Sequence, residues 1–346
     1  MTIAGERIRL LARGWETSLA HEHVDAAVGA LAPDAVLVRV EACGVCHRDL
    51  LDREGRFPFQ QLPITPGHEA VGVVVAVGPR VSDLRAGDHV GTMHRDACGS
   101  CAACSRGETS LCESAAWVFG ILADGGYARH LVAPASSLYS LPADLRAIDA
   151  ASLHCTFGTA YRDLVTLGRV QRGERLLVTG ANGGVGRAAV QIGVRMGAEV
   201  VAVVRDEKHA APLRALGAHE VVVSPVPDFH ERVSPVDVAL DTVGAPTFLG
   251  ALRSLRVGGR VVVVGNVVAE KVGLNLGFVI TKGLSILGGS GATRAEMAAV
   301  LALHAETPFA IAIARVFPLG RADEAQRLLR GGGVEGRFVL VPEGAS

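Results

Sequence analysis

From about residue 170 onward the chain alternates short, continuous apolar runs rich in valine with segments whose apolar positions recur every three to four residues. Six runs stand out: Arg175–Thr179, Glu199–Val204, Glu220–Val223, Val236–Asp241, residues 260–265 and residues 284–288. Runs this short without polar alternation suit strands covered on both faces, and their separation by helical segments implies parallel strands with crossover helices. The first run leads into Gly180-Ala181-Asn182-Gly183-Gly184-Val185-Gly186, after which Val185, Ala188, Ala189, Ile192 and Met196 repeat at helical spacing. The pattern predicts strand, glycine turn and helix at the head of an α/β, doubly wound parallel sheet.

That turn carries chemistry. Gly180, Gly183, Gly184 and Gly186 allow the backbone to approach a pyrophosphate, whose charge then sits at the helix N-terminus beside Val185 among unpaired N–H groups. A carboxylate closing the second strand would grip a ribose 2′-hydroxyl, but this strand closes Val203-Val204-Arg205. Nothing there repels a 2′-phosphate and Arg205 is able to pair with it, so NADP(H) is favoured over NAD(H); the neighbouring Asp206 keeps NAD as the alternative.

The chain's 346 residues amount to about two domains. Its 34 basic and 35 acidic side chains nearly cancel, which argues against nucleic acid or an anionic membrane as partner and leaves a small-molecule substrate. Glu6, Arg7 and Arg9 interrupt the pattern of a signal peptide, and no apolar stretch reaches the roughly 18 residues of a membrane span. A cytoplasmic location is expected.

Reduced cysteines in that compartment point to metal binding or catalysis. Four of the seven, Cys98, Cys101, Cys104 and Cys112, form C-x2-C-x2-C-x7-C. Two-residue gaps let one tight loop turn three sulfurs inward while Cys112 closes a tetrahedron, a full thiolate shell that makes a structural zinc site. Cys46, His68 of Gly67-His68-Glu69, and the distant Cys155 form a second set with room for a fourth ligand, the pattern of a catalytic zinc. Cys43-Gly-Val-Cys46 read alone is a redox pair, the weaker reading beside that constellation.

Together these motifs resemble the zinc-containing medium-chain dehydrogenase/reductases, the alcohol dehydrogenase family, over essentially the whole chain. The resemblance implies a GroES-like, β-rich catalytic domain (residues 1–150 and 290–346, with a structural zinc lobe at about 95–115) and a Rossmann domain at 151–289. Residues 331–342 look like the chain's return to the first domain. It also implies two Zn2+ per chain: catalytic at Cys46, His68 and Cys155, with Asp49 behind and Glu69 behind or as alternate ligand; structural at Cys98, Cys101, Cys104 and Cys112. His47 matches a position that touches the pyrophosphate. Thr159 is placed at the nicotinamide, Asn266 and Val267, like residues 241–244, in loops lining the cofactor, and Gly289 and Ser290 near the nicotinamide. A homodimer or homotetramer is implied.

Alcohol dehydrogenases of this family carry Ser or Thr two residues after the first zinc cysteine, starting a proton relay, often with a histidine three residues later. Here those positions hold Arg48 and Leu51. Arginine stays protonated and conducts no proton, but it stabilises negative charge. Residues 46–51, 241–248 and 259–266 also resemble acryloyl-CoA reductases of archaeal type. The leading expectation is NADPH-dependent, zinc-dependent reduction of a conjugated enone or enoyl thioester. The alternatives are an NADP-dependent alcohol or aldehyde dehydrogenase and, in another class, a non-catalytic binding or structural protein.

Overall fold

The structure, a computed structural model, describes residues 2–27, 29, 31–225, 228–268 and 270–344. The chain divides into two compact units: Met1–Cys155 with Thr293–Met297 and Ile311–Ser346, and Thr156–Ala292 with Ala298–Ala310. The division falls just after Cys155, and the helix Arg294–Glu306 contributes to both.

In the first unit a seven-stranded sheet is centred on strand Ala35–Val45, which pairs antiparallel with Ala70–Val77, with Arg337–Val341 and with His130–Pro134. Val36, Val38, Val40, Leu131, Phe317, Phe338 and Leu340 build its core. This pairing sets the site. Register Cys43↔Ala70 and bond Gly44 N–H to the Glu69 carbonyl (3.1 Å) bring Cys46 and the His68-Glu69 pair to one end of the sheet. Register Phe338↔Val45 brings Arg337 to the same end. Three segments far apart in sequence therefore finish together, because strand pairing leaves the chain no other place to put them. Within the segment 331–342, the strand Arg337–Val341 lies in this sheet.

In the second unit six parallel strands run in the order Glu220–Val223, Glu199–Val204, Arg175–Thr179, Val236–Asp241, Leu255–Val263, Ser285–Gly288. This is the order of a dinucleotide-binding sheet, whose reversal point lies beside its first strand. Helix Gly184–Arg195 follows that strand and buries Ala188, Ala189 and Ile192, while Met196 caps its end.

Two expectations need adjustment. The fifth strand starts at Leu255 rather than 260, with an irregularity in its pairing between Val236 and Val238 that accommodates Arg256, Gly258 and Gly259. The sixth is not covered on both faces: it is an edge strand on which Ile286 is 40% exposed. Among the described residues no helix is long and apolar enough to cross a membrane.

At Gly72 a Cβ would lie 2.0 Å from the Arg39 carbonyl oxygen, so the bulged pair of strands can approach only over glycine. Gly72→Ala should destabilise the protein by about 1–3 kcal/mol, seen as a lower urea midpoint, because backbone cannot yield as a flexible side chain does.

Candidate active site

Cys46 follows the central strand and caps the helix His47–Arg53: its sulfur accepts from Arg48 N–H (3.5 Å), while the Asp49 carboxylate accepts from Cys46 N–H (2.8 Å). One carboxylate then serves three segments. Asp49 Oδ1 lies 3.1 Å from His68 Nδ1 and Oδ2 accepts from the Tyr127 hydroxyl at 3.0 Å, all buried. With Nδ1 engaged, the Nε2 of His68 is left to face Cys155 Sγ (3.6 Å), which sits 3.7 Å from Cys46 Sγ. Gly67, at φ +96°, makes the turn into His68 where a Cβ would strike the Tyr127 ring.

Ligand atoms of Cys46, His68, Glu69 and Cys155 lie within 4.8 Å of one another. The Glu69 carboxylate is drawn into a buried ion pair with Arg337 while its Oε1 stays 3.8 Å from His68 Nε2. Gly44 creates the space it occupies, since a Cβ there would fall 2.0 Å from Glu69 Oε2.

The electrostatics are those of a site that favours a cation. Hydrogen bonding from the Cys155 thiol pulls Cys46 toward thiolate against the cost of burial, while that same bond and burial hold Cys155 protonated. Burial and Arg48 oppose a charge on His68, yet Asp49 prevails and raises it to about 10; burial raises Glu69 to about 7 despite Arg337.

Two sulfurs, an imidazole nitrogen whose other nitrogen is fixed by a carboxylate, and a carboxylate held in reserve fit a zinc ion. The 3.7 Å between sulfurs is close to the edge, about 3.8 Å, of a tetrahedron with Zn–S bonds of about 2.3 Å.

Cys98, Cys101, Cys104 and Cys112 form a second such cluster, with Cys98–Cys104 and Cys101–Cys112 sulfurs 4.0 Å apart. Backbone N–H groups of Cys98, Ser100, Cys101 and Cys104 point at its sulfurs at 3.3–3.5 Å, stabilising thiolate before any metal binds.

Around the first cluster sit residues that sequence reasoning passed over. The Arg48 guanidinium meets Asp52 (Nη2–Oδ2 3.1 Å) and the Phe119 carbonyl (2.5 Å). Burial lifts Asp52 to about 6 although Arg48 opposes it. The i, i+4 spacing of Arg48 and Asp52 on a helix was a usable signal. His94 packs its ring 5.1 Å from that of His68 and 4.3 Å from that of His154, centroid to centroid. Burial, then His154, His68 and Arg48, hold His94 uncharged. No local spacing announces His94 or Arg337. Phe119 is fully buried and Phe59 is 58% exposed. His47 is exposed on the first turn of its helix.

In the second unit Gly180, at φ +57°, and Gly183, Gly184, Val185 and Gly186 form the turn into the helix Gly184–Arg195. Arg205 is exposed at the end of Glu199–Val204. Asp206 instead caps the turn Glu207–His209, accepting from Lys208 N–H (3.1 Å) and pairing with its ammonium (3.2 Å). Val267 N–H bonds the Val243 carbonyl at 3.0 Å, holding the loop that contains Asn266. Gly289 precedes Ser290, whose N–H reaches Asp163 (3.2 Å) and whose hydroxyl accepts from Arg162 (2.7 Å). Thr159 is buried in the turn Thr159–Tyr161.

Comparison with known proteins decides the family. Residues 32–143 match the alcohol dehydrogenase GroES-like domain and residues 184–306 the zinc-binding dehydrogenase domain. Acryloyl-coenzyme A reductase of Sulfurisphaera tokodaii is 32% identical over 310 residues, 89% of this chain and 92% of that protein. The chain belongs to the zinc-containing medium-chain dehydrogenase/reductase family. It is an oxidoreductase of the zinc-binding dehydrogenase type, with a GroES-like domain and a Rossmann-type parallel sheet. An alcohol dehydrogenase of Geobacillus stearothermophilus is 36% identical over 313 residues, 88% of this chain and 91% of that one. Among solved structures, that of AibC has a TM-score of 0.92 at 40% identity, covering 98% and 96% of the two chains. The cobalt- and zinc-bound alcohol dehydrogenase of Pyrobaculum aerophilum has 0.88 at 29%, covering 98% and 100%.

Because Asp49 orients His68, Asp49→Asn should weaken metal at the Cys46 cluster roughly 10–100-fold. Competition with a chromophoric chelator measures this, and metal at Cys98–Cys112 should be retained in the same sample.

Proposed function

We propose that this enzyme reduces conjugated enones or enoyl thioesters with NADPH. Cys46, His68 and Cys155 hold a catalytic zinc, with Asp49 and Glu69 behind, and Cys98, Cys101, Cys104 and Cys112 hold a structural one. In this reading residues 1–150 and 290–346 form the catalytic domain and 151–289 the dinucleotide-binding domain. Bound zinc supplies a Lewis acid for an oxygen of the substrate, and NADPH supplies the hydride.

The observation that carries the proposal is Arg48. Where an alcohol's proton would need a hydroxyl to leave by, there is a guanidinium whose Nε and Nη2 are committed to Asp52 and the Phe119 carbonyl, and Leu51 offers no second proton carrier. Hydride addition to a β-carbon builds negative charge on the thioester or ketone oxygen and takes its proton at carbon, so it needs no such relay. Arg48 favours that developing charge without exchanging a proton. The similarity to a protein named acryloyl-coenzyme A reductase supports the same substrate class. The alcohol dehydrogenase of Geobacillus supports the second reading, an NADP-dependent alcohol or aldehyde dehydrogenase in which water or His47 takes over the relay.

For the cofactor, Gly180, Gly183, Gly184, Val185 and Gly186 bind the pyrophosphate, and Arg205 pairs with the 2′-phosphate. Capture of Asp206 by Lys208 supports this, because that carboxylate is turned to its own turn. Thr159, Asn266, Val267, Gly289 and Ser290 line the remainder. We also propose a cytoplasmic homodimer or homotetramer, supported by the exposed edge strand Ser285–Gly288.

A panel of saturated aldehydes, enones, short enoyl thioesters and primary alcohols tests the substrate class. The expected order puts NADPH-dependent enoyl-thioester or enone reduction first; rapid alcohol oxidation with no conjugated substrate turned over contradicts it. Separately, Arg205→Asp should cost about 10–100-fold in kcat/KM for NADPH, the worth of one charged hydrogen bond, and leave NADH use unharmed.

A further inference from the structure

Outside the metal ligands and Arg48, the side chain that most needs explaining is His94. Its ring stands against His68, a proposed ligand, and against His154, the residue before Cys155. Its Nε2 is shielded from solvent and has no hydrogen-bond partner among the described residues. A buried imidazole nitrogen left unpaired is costly, so a ligand or water is expected to meet it. Its backbone is tied to the neighbourhood of Arg48: the His94 carbonyl accepts from Phe119 N–H (3.3 Å), and the Phe119 carbonyl accepts from Arg48. Ring and backbone are thus both packed in place before any substrate arrives.

We infer that His94 contacts the substrate, donating its Nε2–H hydrogen bond to the carbonyl oxygen of an enoyl thioester. This rests on the reductase reading above. As the β-carbon accepts hydride, the C=C electron pair shifts to give an enolate with its charge on that oxygen. His94 strengthens its bond to the oxygen and keeps its proton throughout, while the α-carbon takes a proton from water and leaves hydroxide. The products are the saturated thioester, NADP+ and that hydroxide, which the buffer neutralises. His94 then does for the enolate what a single oxyanion donor does elsewhere: it acts mainly where charge develops, and so on kcat more than on KM.

Three proteins test this with crotonyl-pantetheine as substrate: wild type, His94→Phe, which keeps a ring and deletes the donor, and His94→Gln, whose amide replaces Nε2–H. The expected result is a kcat lower by about 10²-fold in His94→Phe with KM within about threefold, and substantial recovery in His94→Gln. Metal content and binding of saturated butyryl-pantetheine, by calorimetry, should match wild type in both variants. Equal kcat in His94→Phe and wild type overturns the inference, as does a loss accompanied by lost metal or by no recovery in His94→Gln. If wild type itself does not reduce crotonyl-pantetheine but oxidises alcohols, the reductase reading has failed, a result distinct from either.

Discussion

The site depends on one constraint: three strand ends are driven together by pairing, and they carry acids. Strand Ala35–Val45 delivers Cys46, the chain entering Ala70–Val77 delivers His68 and Glu69, and Arg337–Val341 delivers Arg337. The register is fixed by the buried faces of the central strand, since a one-residue slip would exchange Val38 and Val40 with the charged Arg39 and Glu41. Two sulfurs and a carboxylate therefore crowd within 4.8 Å whether or not anything is there to neutralise them. Within the cluster the Cys46 and Cys155 sulfurs lie 3.7 Å apart, and Glu69 is drawn to Arg337. A divalent cation resolves the crowding more completely, because it replaces the thiol protons with bonds to all the ligands at once.

Charge also organises what surrounds the cluster. Arg48 beside Asp52 is a nearly neutral pair, so the guanidinium can be buried without the cost of an isolated ion. Held in two places, it keeps its direction and its charge. That combination suits the stabilisation of an oxygen acquiring negative charge, and it is unsuited to relaying a proton. The same economy appears at the end of Glu199–Val204, where Asp206 is taken up by Lys208 and Arg205 remains exposed.

Much of the second unit was legible in the sequence because parallel strands in a covered sheet read as unbroken apolar runs. The four runs Arg175–Thr179, Glu199–Val204, Glu220–Val223 and Val236–Asp241 coincide with strands. The fifth was read short because Arg256, Gly258 and Gly259 interrupt its apolar face before Arg260. The first unit's sheet was reached only through family resemblance, since bulges between Leu37 and Val38 and between Val40 and Ala42 break the alternation that marks an antiparallel strand. Local metal spacing betrayed Cys98 to Cys112. The partners Tyr127, Arg337 and His94 were not legible, because their contacts with Asp49, Glu69 and His68 exist only once distant strands have paired.

The central claim is that Cys46, His68 and Cys155 converge on one metal ion, and anomalous diffraction at the zinc edge from crystals of the metal-loaded protein tests it most directly. The account predicts a peak about 2.3 Å from the sulfurs of Cys46 and Cys155 and about 2.0–2.1 Å from His68 Nε2, with a second peak enclosed by Cys98, Cys101, Cys104 and Cys112. A peak at the four-cysteine cluster alone, in protein supplied with excess zinc, would contradict it.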